Sequence, residues 1–104
     1  MALDAKVYFK DNTVKGFSIE EHIHDEIFEK NTVWKSYKQL SKISDYYLYG
    51  LKMNKSDFLQ FIEEWEEYSK WISVSLRNEY EKLLMDLKSI YNPKEINYVK
   101  FLGD

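Results

Sequence analysis

The sequence of 104 residues contains no cysteine, a single proline and only three glycines. Without cysteine the chain can form no disulfide, no thiolate metal site and no cysteine nucleophile. Small secreted domains usually depend on disulfides, so the absence of cysteine predicts a cytoplasmic protein. The hydrophobic fraction of 44% argues against intrinsic disorder, which requires low hydrophobicity.

Long apolar runs and an excess of positive charge are also missing. No stretch is long enough for a membrane span, and the N-terminus has no secretory pattern, so no membrane partner is expected. The net charge is -3, from 18 acidic and 15 basic residues, whereas a general nucleic-acid binder needs a basic face. The length fits one domain over residues 1–104, and nucleic acid is not an expected partner.

Patterns typical of catalysis are scarce. His22 and His24 are two positions apart, so on a helix they diverge and cannot share a metal, and both are interpreted as surface residues. His22 with Glu26 has helical spacing, but two ligands leave a zinc site incomplete. No phosphate loop or nucleophile elbow is present. We therefore expect no enzyme activity, no metal and no cofactor, although carboxylate pairs such as Glu63 with Glu67 keep acid chemistry open as a third hypothesis.

Near the N-terminus the sequence predicts a β-hairpin over residues 5–17. Apolar and polar residues alternate there with a period of two, and Asp11-Asn12 tolerates a tight turn. A turn made of these two residues would place Val14 opposite Phe9.

Four helices are predicted after the hairpin, at about 19–30, 33–43, 54–72 and 73–90. The first begins with a capping box at 18–21, and the last ends before Asn92-Pro93. Residues 95–102 are β-branched and partly aromatic, so they form either a strand that joins the hairpin or an extended arm. The predicted fold class is α+β and mostly helical, with about four helices and an N-terminal hairpin.

Aromatic residues and clustered acids are the unusual features. The chain has nine tyrosines, six phenylalanines and three tryptophans, more than one core of this size needs. Neighbours on a helix point about 100° apart, so Tyr46, Tyr47 and Tyr49 cannot all face inward. Acidic clusters at 20–29 and 63–67 flank this aromatic segment. An acidic surface with aromatic anchors is suited to bind a basic protein, such as a nuclease.

One segment resembles a known class of protein. The pattern Trp34-x-x-Tyr37-x-x-Leu40-x-x-Ile43-Ser44-Asp45-Tyr46-Tyr47, with an acidic amphipathic helix after residue 54, covers the region 19–72. It is similar to small bacterial immunity proteins of polymorphic toxin and contact-dependent growth inhibition systems. The resemblance implies a cognate toxin that is neutralised by direct binding, often at its active site, and it transfers no individual functional residue.

The leading hypothesis is therefore an immunity-type inhibitor of a toxin, most naturally a basic nuclease domain. Its expected contact residues are three tyrosines and four carboxylates: Asp45, Tyr46, Tyr47, Tyr49, Glu63, Glu64 and Glu67. The alternative is a phage or mobile-element protein that mimics nucleic acid and blocks a host enzyme. Wide apolar stripes on the helices also leave a homodimer open.

Overall fold

The computed structural model describes residues 2–45, 50–92 and 94–103. These residues form one antiparallel sheet of four strands and three α-helices. The elements are β1 (Ala2–Phe9), β2 (Val14–Glu20), α1 (Glu21–Phe28), β3 (Leu51–Asn54), α2 (Lys55–Tyr68), α3 (Val74–Tyr91) and β4 (Ile96–Gly103). Short 3-10 helices lie at Val33–Ser36, Leu40–Ile43 and Ser69–Trp71. The α+β fold class and the N-terminal hairpin are confirmed.

The sheet has the strand order β2-β1-β4-β3, so the C-terminal strand lies in its interior. Val99 of β4 is opposite Val7 of β1 on one side and Met53 of β3 on the other. All three side chains are fully buried. Of the two alternatives for residues 95–102, the strand is therefore correct.

The hairpin register differs by one residue from the prediction. Val14 is opposite Tyr8, and the amide of Phe9 donates to the carbonyl of Thr13 at 3.0 Å. The loop has three residues, because Asn12 adopts a left-handed conformation with φ 70°. Asp11 stabilises the loop by accepting hydrogen bonds from the amide and the hydroxyl of Thr13.

The predicted first helix begins too early. Ser18 and Ile19 belong to β2, where the Ser18 hydroxyl donates to Asp4 at 2.7 Å and Ile19 is fully buried. The capping box at 18–21 is therefore wrong, because the strand alternation of Phe17 and Ile19 continues through it. The helix α1 starts only at Glu21.

The predicted helix over 33–43 is also wrong. Two 3-10 helices take its place, and Tyr37 between them is extended, with φ -101° and ψ 116°. The Asn31 side chain accepts a hydrogen bond from the amide of Val33, which starts the first of them. The described residues thus contain three α-helices where four were expected.

Helices α2 and α3 confirm the amphipathic patterns at 54–72 and 73–90. The Asn54 side chain caps α2 by accepting from the amide of Asp57 at 2.8 Å. Trp65 of α2 stacks on Tyr80 of α3 with ring centroids 4.3 Å apart, and both are fully buried. The Tyr80 hydroxyl donates to the Trp65 carbonyl at 2.6 Å, and burial raises the pKa of this phenol.

Candidate functional site

The acidic residues concentrate in the helices. The helices α1, α2 and α3 together carry eleven acidic and four basic residues, whereas the four strands carry two acidic and four basic ones. The helix α1 has no lysine or arginine at all. This segregation gives the helical layer a negative field that a net charge of -3 for the whole chain does not reveal.

One carboxylate of α1, that of Glu26, is buried and bonded to other parts of the chain, whereas the others are exposed to solvent. Glu21 and Asp25 are exposed, as is Glu29 just after the helix. Glu26 is only 4% exposed, and one of its oxygens accepts from the amide of Ser73 at 2.8 Å. Its other oxygen pairs with Lys30 at 2.7 Å, and these contacts hold the pKa of Glu26 below its usual range despite burial. Glu26 therefore fixes α1 to the start of α3.

His24 corrects the interpretation of both histidines as surface residues. The ring is 3% exposed, lies 4.5 Å from the ring of Phe28, and its Nε2 donates to the carbonyl of Ile43 at 2.7 Å. Burial lowers the pKa of His24, while the negative charges of Asp25, Glu29 and Asp45 oppose that shift. His22 is exposed and its Nε2 lies 2.7 Å from Glu79 of α3, not beside Glu26.

The negative charge of Asp45 acts on the pKa of His24 together with those of Asp25 and Glu29. Asp45 is exposed and follows the 3-10 helix at Leu40–Ile43. Asp45 therefore acts on the same buried ring as Asp25 and Glu29. The predicted anchors Tyr46, Tyr47 and Tyr49 lie outside the described residues.

Glu64 has an internal position, which does not fit its predicted role as an exposed charge. It is 8% exposed, and its Oε1 accepts from the amides of Gln39 at 2.9 Å and Leu40 at 2.8 Å. Glu64 thus caps the N-terminal end of the 3-10 helix at Leu40–Ile43. A signal was present, because position 64 lies three residues after Phe61 and four before Tyr68, within the apolar stripe of α2.

The remaining acids of α2 are exposed. Glu66 pairs with Lys88 of α3 at 3.1 Å, and Glu67 lies 3.8 Å from Lys70. Glu63 lines a cleft of about 280 Å³ between α2 and α3. Of the predicted carboxylates on this helix, the structure therefore leaves Glu63 and Glu67 available at the surface.

The connecting segment 33–45 is attached to both acidic helices. From α1, the His24 side chain donates a hydrogen bond to the segment's carbonyl at Ile43. From α2, the Glu64 carboxylate accepts hydrogen bonds from the segment's amides at residues 39 and 40. These contacts hold the segment between α1 and α2, whereas Glu63 lines the cleft between α2 and α3. We use the name acidic patch for exposed carboxylates of α1, its C-terminal end, the connecting segment and α2: Glu21, Asp25, Glu29, Asp45, Glu63 and Glu67.

Positive charge is exposed here as well. Lys35, Lys38 and Lys42 lie on the connecting segment between the two helices. The Lys35 ammonium is 5.7 Å from the ring centre of Trp34. Three exposed lysines on the segment between the helices therefore accompany the carboxylates of the acidic patch.

Trp71, just after α2, is 47% exposed. The sequence analysis missed two further exposed apolar residues, Val74 and Met85 of α3, which are 80% and 70% exposed. Residues eleven positions apart lie on the same face of a helix, so this spacing could have indicated that the two side chains share one exposed face.

Comparison with protein-family models, with curated proteins and with solved structures finds no match to this chain. Among the described helices, none has the length and apolar character needed to cross a membrane. The described residues contain no group of three or more histidine or carboxylate side chains placed to bind a metal ion.

Proposed function

We propose that this chain is an immunity-type protein that binds a cationic toxin, most naturally a nuclease domain, through the acidic patch. The observation that supports the proposal is the attachment of segment 33–45 to both α1 and α2. This attachment holds two helices that carry carboxylates from separate parts of the chain on either side of one segment.

Electrostatics gives the acidic patch a defined role. Negative charge accelerates the encounter with a basic protein and suppresses acidic partners. A nuclease presents lysine and arginine where it holds phosphate, so a negative patch can cover that site.

The proposal is tested with the product of the neighbouring reading frame, which should contain a toxin domain. The two proteins should co-purify, and the complex should weaken as salt is raised. Asp45→Lys and Glu67→Lys should each reduce affinity by about tenfold or more at low salt. Glu81→Lys makes the same charge change at an exposed position of α3 outside the patch and should change affinity by less than about threefold.

Absence of a complex, or equal losses for all three variants, would contradict the proposal. Competition of DNA or RNA with this chain for a host enzyme would instead favour the alternative of a nucleic-acid mimic.

A further inference from the structure

The strand β2 lies at the edge of the sheet, since it is last in the order β2-β1-β4-β3. The amide of Phe9 donates to the carbonyl of Thr13, which makes these two residues a hydrogen-bonded pair. Bonded and non-bonded pairs alternate along an antiparallel ladder. On the opposite side of β1, Lys10 donates to Glu95 at 3.0 Å, as this alternation requires.

The alternation determines which groups of β2 face outward. Residues of β2 with odd numbers bond to β1, so the backbone N–H and C=O groups of the even-numbered residues point away from the sheet. The outward residues are Val14, Gly16, Ser18 and Glu20. Such an edge is a template for another strand.

A groove follows this edge along its full length. Three adjoining cavities of about 140, 300 and 270 Å³ share Lys15 and Ser18 where they meet. The opposite wall is α3, which contributes Leu83, Asp86 and Ile90. The groove therefore offers backbone groups on one side and a partly apolar wall on the other.

Gly16 lies in the middle of the outward-facing residues, and the fold itself does not require glycine there. A Cβ atom at this position would be 3.5 Å from the carbonyl oxygen of Ala5, an ordinary contact. Its φ is not positive, unlike those of Gly50 and Gly103. Glycine inside a strand weakens it and commonly marks the close approach of another backbone.

The two ends of the groove differ in charge. Lys15 and Lys94 line the end near the hairpin loop, where Lys94 also pairs with Asp11 at 3.2 Å. Glu20 and Glu79 line the other end, together with Lys82. A strand that runs antiparallel to β2 would thus fit best with a basic residue at its start and an acidic one at its end.

We infer that β2 and α3 bind an extended segment of another protein, which adds to the sheet as a fifth, antiparallel strand. The segment carries a basic residue opposite Glu20, an acidic residue opposite Lys15, and apolar side chains between them on the side of α3. This interface is separate from the acidic patch and does not depend on the proposed function.

A second copy of this chain fits the edge less well. Antiparallel self-pairing would match even-numbered residues with even-numbered ones, so Lys15 would lie opposite Lys15, Phe17 or Ile19 of the copy and never opposite Glu20. A lysine that points inward from an edge strand is a known protection against such pairing.

The inference is tested by NMR titration of the full-length chain with the capped peptide acetyl-Lys-Val-Thr-Val-Thr-Glu-amide. We expect amide shifts confined to residues 14–20 and 79–90. The same peptide N-methylated at both threonines loses the amides that face β2 and should not bind. N-methylation at both valines alters only the outer amides and should leave binding intact.

Two variants test the strand itself. Gly16→Pro removes the outward N–H without breaking a bond to β1, and proline is tolerated on edge strands, so affinity should fall by about tenfold while the fold is kept. Gly16→Ala retains the N–H and should change affinity by less than about threefold. Thermal unfolding of both variants checks the fold.

The inference is overturned if the peptide causes no shifts at millimolar concentration, or causes them mainly elsewhere. Equal binding of the two N-methylated peptides, or self-association through β2, would overturn it as well. These outcomes do not depend on whether Gly16→Pro folds.

Discussion

A single carboxylate, that of Glu64, satisfies two backbone amides that no helix ladder reaches. Replacing it by leucine would leave the N–H groups of Gln39 and Leu40 unsatisfied in the interior. Buried donors without partners cost about 1–3 kcal/mol each. We expect Glu64→Leu to lower the free energy of unfolding by about 2–4 kcal/mol, measured by urea denaturation.

Glu64→Gln keeps an acceptor oxygen and should lose about 1 kcal/mol, because the hydrogen bonds then lack the charge of the acceptor. Glu63→Leu is the control at the exposed neighbouring position and should stay within about 0.5 kcal/mol of the parent. A loss for Glu63→Leu as large as that for Glu64→Leu would contradict this role of Glu64.

His24 predicts a pH dependence with a definite sign. Burial holds its pKa in the folded chain below the ordinary value of 6.5, so below that pH the unfolded state binds more protons than the folded state. The contribution of His24 is therefore complete above pH 6.5 and is lost as the pH falls toward the lowered pKa of the folded state. His24→Gln keeps an N–H donor for Ile43, and its free energy of unfolding should fall less between pH 7.5 and 5, about a unit either side of an ordinary histidine pKa.

His22→Gln is the matched control, since His22 is exposed on the same helix. It should keep most of the pH dependence of the parent. The role of His24 would be refuted if His22→Gln removed the dependence and His24→Gln did not.

The hairpin loop illustrates how local conformation decides register. Asn12 has φ 70°, which asparagine and glycine tolerate and β-branched residues do not. Asn12→Val should lower the free energy of unfolding by about 1–2 kcal/mol, whereas Asn12→Gly should be close to neutral. Thermal and urea unfolding of both variants measure the difference, and equal stability of the two would show that the loop does not constrain this residue.

Elements with a long, regular apolar period could be predicted from the sequence, and short ones could not. The stripes of α2 and α3 and the alternation of β1 were sufficient to place those elements. The stretch 33–43 has helical spacing too, but tertiary contacts from His24 and Glu64 fix it as separate short turns. The strand β3 has four residues, and its pairing with β4 depends on residues more than 40 positions away.

At the candidate site the same limit applies to side chains. Acid clusters were visible as clusters, but burial of Glu26 and Glu64 depends on which backbone amides approach them from distant segments. The common effect of Asp45 and the α1 carboxylates on the pKa of His24 likewise depends on the fold. The sequence alone could not show which residues of β2 direct their backbone groups away from β1, because this depends on the register that the three-residue loop sets.

The molecule as a whole has an open sheet edge at β2. We expect Lys15 to prevent this edge from pairing with the same edge of a second molecule. Lys15 shares the side of β2 that faces the helices, since it is opposite Val7 of the core. Self-pairing would bring this charge against Phe17 or Ile19 of the copy, where desolvation of an ammonium group is costly, or against the like charge of its own Lys15. Lys15→Val should remove that penalty, so the variant should self-associate at concentrations where the parent is monomeric.

Sedimentation velocity over a range of protein concentrations measures this difference. Lys6→Val is the matched control, because Lys6 is also exposed on a strand but β1 has a neighbour on both sides and offers no edge. Since backbone pairing requires an unpaired edge, Lys6→Val should sediment like the parent. If the parent already dimerises through β2, or if both valine variants associate equally, then Lys15 does not protect the edge and added surface hydrophobicity alone explains association.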